Sequence, residues 1–116
     1  MGKHKIAVYG SLRTGCYNRR GFNSMKTLDV VNIEGYKMHS LGSYPYIIED
    51  KGYSVKVELC ECNDIDYKYI RSMELGAGYT EKDIEVNGET YKLYVYNNHF
   101  ESSPLVETGD WVEFNA

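Results

Sequence analysis

The apolar pattern of this chain changes period once. Over residues 53–62 it alternates, with Val55, Val57 and Leu59 on one side and Lys56, Glu58 and Cys60 on the other, as expected of an antiparallel strand with one covered face. From 63 to 75 the spacing becomes helical. Ile65, Tyr69 and Met73 form one i, i+4 row, and Asp66, Ile70 and Glu74 form the next. Asp64 reads as the N-cap and Gly76 as the helix end. A doubly wound fold would need helices alternating with parallel strands. One clear helix in the second half of a strand-rich chain predicts an α+β domain with a curved, largely antiparallel sheet.

The remaining segments fit that expectation. Residues 5–9 read as a first strand, and their continuous apolar run Ile6-Ala7-Val8-Tyr9 predicts that it is buried on both faces. A long loop follows over 10–23, then a strand over 28–38 with Gly35 as a bulge, a turn over 40–45 and a short strand over 46–48. Glu49-Asp50-Lys51-Gly52 reads as a hairpin loop. Strands at 79–86 and 91–96 flank Asn87-Gly88-Glu89-Thr90, in which Asn-Gly is a strong hairpin signal. Residues 110–114 read as a last short strand. The sheet is expected to close into a mixed, mostly antiparallel β-barrel, and 1–116 to form a single domain.

Composition removes several classes of function. A net charge of −4 gives no general affinity for nucleic acid or an anionic membrane. Arg13, Arg19 and Arg20 still cluster beside the first strand, as a solvated loop or as an attraction for a small anion. No apolar run approaches the ~20 residues that span a bilayer, and the N-terminus lacks a secretory pattern, so a cytoplasmic protein is expected. Cys16, Cys60 and Cys62 are an odd number and argue against a disulfide scaffold. Cys60 and Cys62 share a strand face but lack the ligand spacing of zinc, and no metal site is expected. Twelve tyrosines fit either cross-strand pairs or a ring-lined pocket.

The turn after the first strand, Gly10-Ser11-Leu12-Arg13-Thr14-Gly15, begins like a P-loop. It continues with Cys16-Tyr17 where a nucleotide site needs Lys and a hydroxyl residue. Ser11 lacks the G-x-S-x-G elbow, and no histidine is placed locally to activate it or Cys16. What remains is a set of backbone N–H groups, which serve an anion or simply turn the chain. Glu74 also has two readings. It is a solvated helix residue paired with Arg71, or a carboxyl packed beside apolar groups that carries protons near neutral pH.

Together these features resemble the γ-glutamylcyclotransferase-like family, and its short γ-glutamylamine cyclotransferase-like (AIG2-like) branch in particular. The resemblance rests on Tyr9-Gly10-Ser11-Leu12, Arg13, Gly15, Asn18, Leu41-Gly42-Ser43-Tyr44-Pro45, Val57-Glu58-Leu59, Glu74, Tyr79 and Gly109-Asp110-Trp111. The chain departs from it where Leu75 follows Glu74 and where Arg71 stands three residues before. The resemblance implies a β-barrel with flanking helices, no metal or cofactor, and a small-molecule γ-glutamyl substrate. The implied reaction is attack of the α-amine on its own side-chain carbonyl, releasing 5-oxoproline and an amine. Glu74 would be the catalytic base, Tyr9, Gly10, Ser11 and Leu12 would bind substrate, and Tyr44 and Tyr79 would line the pocket. Core packing explains the two tyrosines equally well. The alternatives are a non-catalytic binding or interaction module on the same fold and a Glu74-dependent amide hydrolase.

Overall fold

The first strand, β1 (Lys3–Val8), lies inside the sheet. In the computed structural model, which describes residues 3–96 and 103–115, it pairs antiparallel with β3 (Pro45–Asn63) and parallel with β5 (Glu89–Val95). Ile6, Ala7 and Val8 are buried, as a continuous apolar run requires of a strand covered on both faces. β2 (Lys26–Ser40) and β4 (Thr80–Val86) complete a five-stranded mixed sheet in the order β2-β3-β1-β5-β4. The fold is thus α+β, but the sheet is open. Among the described strands β2 and β4 are its edges and no ladder joins them, so the expected barrel is not seen.

The long β2–β3 hairpin carries the bend. It reverses at 41–44, where the Leu41 amide donates to the Tyr44 carbonyl at 2.9 Å. Glu34 pairs with Ser54 while Tyr36 pairs with Glu49, so the residues between Glu49 and Ser54 bulge opposite Gly35, which has φ +92°. The turn-like Asp50-Lys51-Gly52 is therefore a bulge inside one 19-residue strand and not the predicted hairpin loop. Beyond the end of β1, the Tyr96 amide reaches the Ile47 carbonyl at 3.0 Å.

The helix α1 (Asp64–Gly76) is capped one residue earlier than predicted, by Asn63, whose side chain accepts from the Asp66 amide. Of its two rows the less apolar one faces inward. Ile70 is 0% exposed, whereas Ile65 is 66% exposed. Glu74 stands one turn beyond Ile70 on the buried row, so packing Ile70 against the sheet also turns Glu74 inward. Asn87 (φ +53°) and Gly88 (φ +83°) form the tight turn between β4 and β5, the backbone that Asn-Gly favours. The 10–23 loop contains a short 3-10 helix, Tyr17–Gly21.

The last predicted strand is a helix, α2 (Trp111–Phe114). The Asp110 side chain accepts from the Val112 and Glu113 amides, which starts a helical turn. Gly109 before it has φ +70°, and a Cβ there would lie 2.2 Å from the Ser54 carbonyl oxygen. That approach admits no side chain and breaks any extended run.

Candidate active site

Glu74, Tyr9, Gly10, Ser11, Leu12, Tyr44 and Tyr79 all line one cavity of about 480 Å³. Three parts of the chain converge on it: the turn after β1, the β2–β3 reversal and the C-terminal end of α1. The Glu74 carbonyl accepts from the Ala77 and Tyr79 amides, both at 3.1 Å. The helix end, the carboxyl and the Tyr79 ring are thereby fixed together.

Among the described residues no hydrogen bond or ion pair reaches the Glu74 carboxyl. The expected partner, Arg71, turns instead to Glu81, with Nε 3.6 Å from Oε1. Burial without compensation pushes the Glu74 pKa up to about 7. The negative end of the helix dipole acts in the same direction. The nearby phenols of Tyr9, Tyr79 and Tyr94 are also pushed well above the ordinary tyrosine value, first by burial and in part by the Glu74 charge. They are neutral donors at physiological pH. Tyr9 gives its proton to the Tyr94 carbonyl at 2.6 Å and Tyr79 gives its proton to the Pro45 carbonyl.

On the same lining, the amides of Tyr9, Gly10, Ser11 and Leu12 have no acceptor among the described residues. Gly10 is required for a different reason than ligand approach. A Cβ there would lie 2.8 Å from the Pro45 ring, so the glycine lets the turn pack on the β2–β3 reversal. Asn18 also lines the cavity, and its Nδ2 donates to Ser11 Oγ at 2.8 Å. That leaves the Ser11 proton free to point elsewhere.

Arg13 does not face the cavity as an anion site. It is 7% exposed, with Nε 3.1 Å from Glu58 Oε2 and Nη1 2.7 Å from Asp110 Oδ1. Arg19 Nη1 is 3.3 Å from Glu58 Oε1 and 3.1 Å from the Leu12 carbonyl. Glu58, on β3, also accepts from the Thr14 amide at 3.0 Å, the Thr14 hydroxyl at 2.8 Å and the Thr27 hydroxyl at 3.0 Å. Burial opposes its charge, but the donors from Thr14, Arg13 and Thr27 outweigh it and hold its pKa below the ordinary range. This network fixes the loop that follows the four amides. Sequence reasoning gave Glu58 no role, because its partners come from distant segments.

Two other candidates from the sequence find no support. Burial raises the Cys16 thiol pKa, so it is not an activated nucleophile. His4 binds Asp64, and the His39 ring nitrogen Nδ1 is 2.9 Å from the Ser103 carbonyl oxygen. Neither histidine lines the cavity, and His99 lies outside the described residues. Among the described residues no group of three or more His, Cys, Asp or Glu side chains clusters as metal ligands would, Cys60 and Cys62 included. No helix in the described residues is long and apolar enough to cross a membrane.

Residues 6–113 match the family model described as gamma-glutamyl cyclotransferase, AIG2-like. The chain belongs to this family. The gamma-glutamylcyclotransferase family protein YtfP of Citrobacter rodentium is 28% identical over 110 residues, covering 94% of this chain and 96% of that protein. The crystal structure of PH0828 from Pyrococcus horikoshii superposes with a TM-score of 0.85 at 27% identity, covering 97% of this chain and 92% of that one. An AIG2-like protein from Mus musculus shares the fold at TM-score 0.75 and 16% identity, with 92% and 88% covered.

Proposed function

We propose that the chain is a γ-glutamyl cyclotransferase-type enzyme that closes the γ-glutamyl group of its substrate into 5-oxoproline and releases the attached amine. The observation that carries this reading is the Glu74 carboxyl, without a partner and with a pKa near 7, in the same cavity as four amides that lack acceptors. In the proposed reaction Glu74 takes a proton from the substrate α-ammonium. The freed amine nitrogen attacks the γ-carbonyl carbon and forms a tetrahedral intermediate within a five-membered ring. The bond from that carbon to the leaving nitrogen then breaks as protonated Glu74 returns its proton to that nitrogen, and the second proton that the ring nitrogen must lose passes through the same carboxylate to the departing amine, which leaves as an ammonium ion beside neutral-ring 5-oxoproline. Atoms and charge balance without a co-reactant.

The division of labour follows from ordinary chemistry. A base whose pKa lies close to the working pH both accepts and returns a proton efficiently. The amides of residues 9–12 supply donors to the anionic oxygens of the substrate and intermediate, where fixed dipoles lower the barrier most. Both reacting atoms belong to one molecule, so holding it in a curled conformation supplies much of the rate. Glu81, the other carboxyl near the helix end, is less suited to be the base. Burial opposes its charge, but the Tyr67 and Tyr94 hydroxyls, Lys92 and Arg71 outweigh it and lower its pKa.

The test is product analysis on a γ-glutamyl amide. Release of 5-oxoproline, lost in Glu74→Gln while the fold is kept, is the expected result. Free glutamate as product would make the protein a hydrolase. Saturable ligand binding with neither product would make the cavity a binding site without chemistry.

A further inference from the structure

Glu74 is surrounded by phenols that give their protons to other groups. Its charge acts on four of them: Tyr9 just after β1, Tyr79 after α1, Tyr94 on β5 and Tyr96 just beyond it. A tyrosine hydroxyl has one proton to donate. Tyr9 donates to the Tyr94 carbonyl at 2.6 Å, Tyr79 to the Pro45 carbonyl and Tyr96 to the Ala77 carbonyl at 3.1 Å. Those three acceptors are backbone atoms, fixed by the fold. Tyr94 differs. Its hydroxyl donates to a side chain, Glu81 Oε2, at 2.8 Å.

The charged groups around the cavity are engaged in the same way. Arg71 stands three residues before Glu74 on α1, but its Nε is 3.6 Å from Glu81 Oε1. Lys92 on β5 bonds to Asp83 at 2.6 Å. Arg13 and Arg19 are held by Glu58, and Arg20, exposed on the 3-10 helix, does not line the cavity. Tyr17 and Tyr44 complete the titratable groups of the lining and are exposed.

Glu81 is therefore the one side chain that holds two potential partners of Glu74. It stands directly opposite Tyr94 in the β4–β5 ladder, so the two side chains share a face of the sheet. Tyr67, one helical turn before Arg71, donates to the same Oε2 at 2.7 Å. One oxygen thus takes two phenols while the other faces the guanidinium. An ionised carboxylate only accepts, so the proton between Glu81 and Tyr94 belongs to the tyrosine and points away from Glu74.

We infer that Glu81 is a positioning residue for Glu74: by accepting the Tyr94 proton and holding the Arg71 guanidinium, it keeps both from turning to the helix-end carboxyl, which stays without a donor. The consequence for catalysis rests on the cyclotransferase reading; the effect on the carboxyl does not.

The test follows the Glu74 carboxyl by NMR titration in the full chain. Glu81→Ala releases the phenol and the guanidinium, and the Glu74 titration should fall by about one pH unit or more, as a carboxyl gaining a donor or a cation does. Glu81→Gln keeps an acceptor for the phenols and releases Arg71, so it should give a smaller fall in the same direction. Adding Tyr94→Phe and Arg71→Ala to Glu81→Ala removes both released groups and should return the titration to that of the parent. An unmoved titration in Glu81→Ala, or in Glu81→Gln should Glu81→Ala not fold, would overturn the inference. So would a triple variant that stays low, because loss of the Glu81 charge alone would then explain the fall. The acid limb of kcat/KM for 5-oxoproline release should move to lower pH with the titration, since the base must be ionised in the free enzyme. A titration that moves as expected in a protein that releases no 5-oxoproline would overturn the cyclotransferase reading and leave the role of Glu81 toward the carboxyl standing.

Discussion

Two glutamates on either side of the first loop are held in opposite ways. Glu58, at 4% exposure, sits in the middle of a strand and accepts from two arginines, two threonine hydroxyls and an amide. Glu74 closes a helix and has no partner among the described residues. Burial is the largest influence on both pKa values and acts upward on each, yet one ends below the ordinary value and the other near 7. The difference lies in the donors. A buried carboxylate surrounded by donors is a structural anchor, and one left without them is available to exchange a proton.

The sharpest way to break the comparison is to remove each carboxylate in turn. Glu74→Gln should lower turnover by about 10²–10⁴-fold, the usual worth of a general acid–base, with an unchanged circular dichroism spectrum. Glu58→Ala should act first on stability. It leaves the Arg13 guanidinium buried with Asp110 alone, and breaking a buried ion pair costs about 3–5 kcal/mol, measurable by urea denaturation. If Glu58→Ala proved harmless to stability and Glu74→Gln harmless to rate, the contrast drawn between them would be void.

A pH series separates the two at intermediate cost. Because the folded-state pKa of Glu74 lies above its unfolded value, its contribution to stability is fully present below about 4.5 and is lost as pH rises through about 7. Glu74→Gln should therefore match the parent protein at pH 4 and exceed it in stability above pH 7. Glu58 has the opposite sign. Its pKa is lowered, so its contribution is present above the ordinary carboxylate range and fades as the solution becomes more acidic. Melting temperature across pH reads both.

The smallest effect is expected from Arg71→Ala. It removes a half-exposed pair with Glu81, worth about 0.2–1 kcal/mol at most. It should leave the acidity of Glu74 where it is, as carboxyl titration by NMR would report. A shift in Glu74 would restore the helical i, i+3 pairing that the sequence suggests.

That last case shows where reading the sequence works and where it stops. The continuous apolar run at Ile6–Val8, the Asn-Gly turn and the helical period after Asn63 each depend on neighbours a few residues away, and the structure agrees with all three. The bulge at Asp50-Lys51-Gly52 looks like a turn because its composition is that of one. Only the pairing of Glu34 with Ser54 and Tyr36 with Glu49 shows the strand running through it. Residues 110–114 have strand-like composition, but Asp110 as a cap and the contact of Gly109 with Ser54 decide for helix. Arg13 has a visible charge and an invisible depth, since Glu58 and Asp110 lie far along the chain. The seven candidate site residues could be named from the pattern of the family they resemble. The loop-fixing network and the hold of Glu81 on Tyr94 and Arg71 could not, because neither is a local property.

The bond between Arg13 and Asp110 joins residues 97 positions apart. A ribosome delivers the arginine 97 residues before the aspartate. Until then the guanidinium has Glu58 but lacks its second anchor, and α2 has no start. The wall that carries the four amides thus acquires this support only once residue 110 has been made, so a nascent chain stopped short of Asp110 would carry the helix glutamate without a finished chamber to use it in.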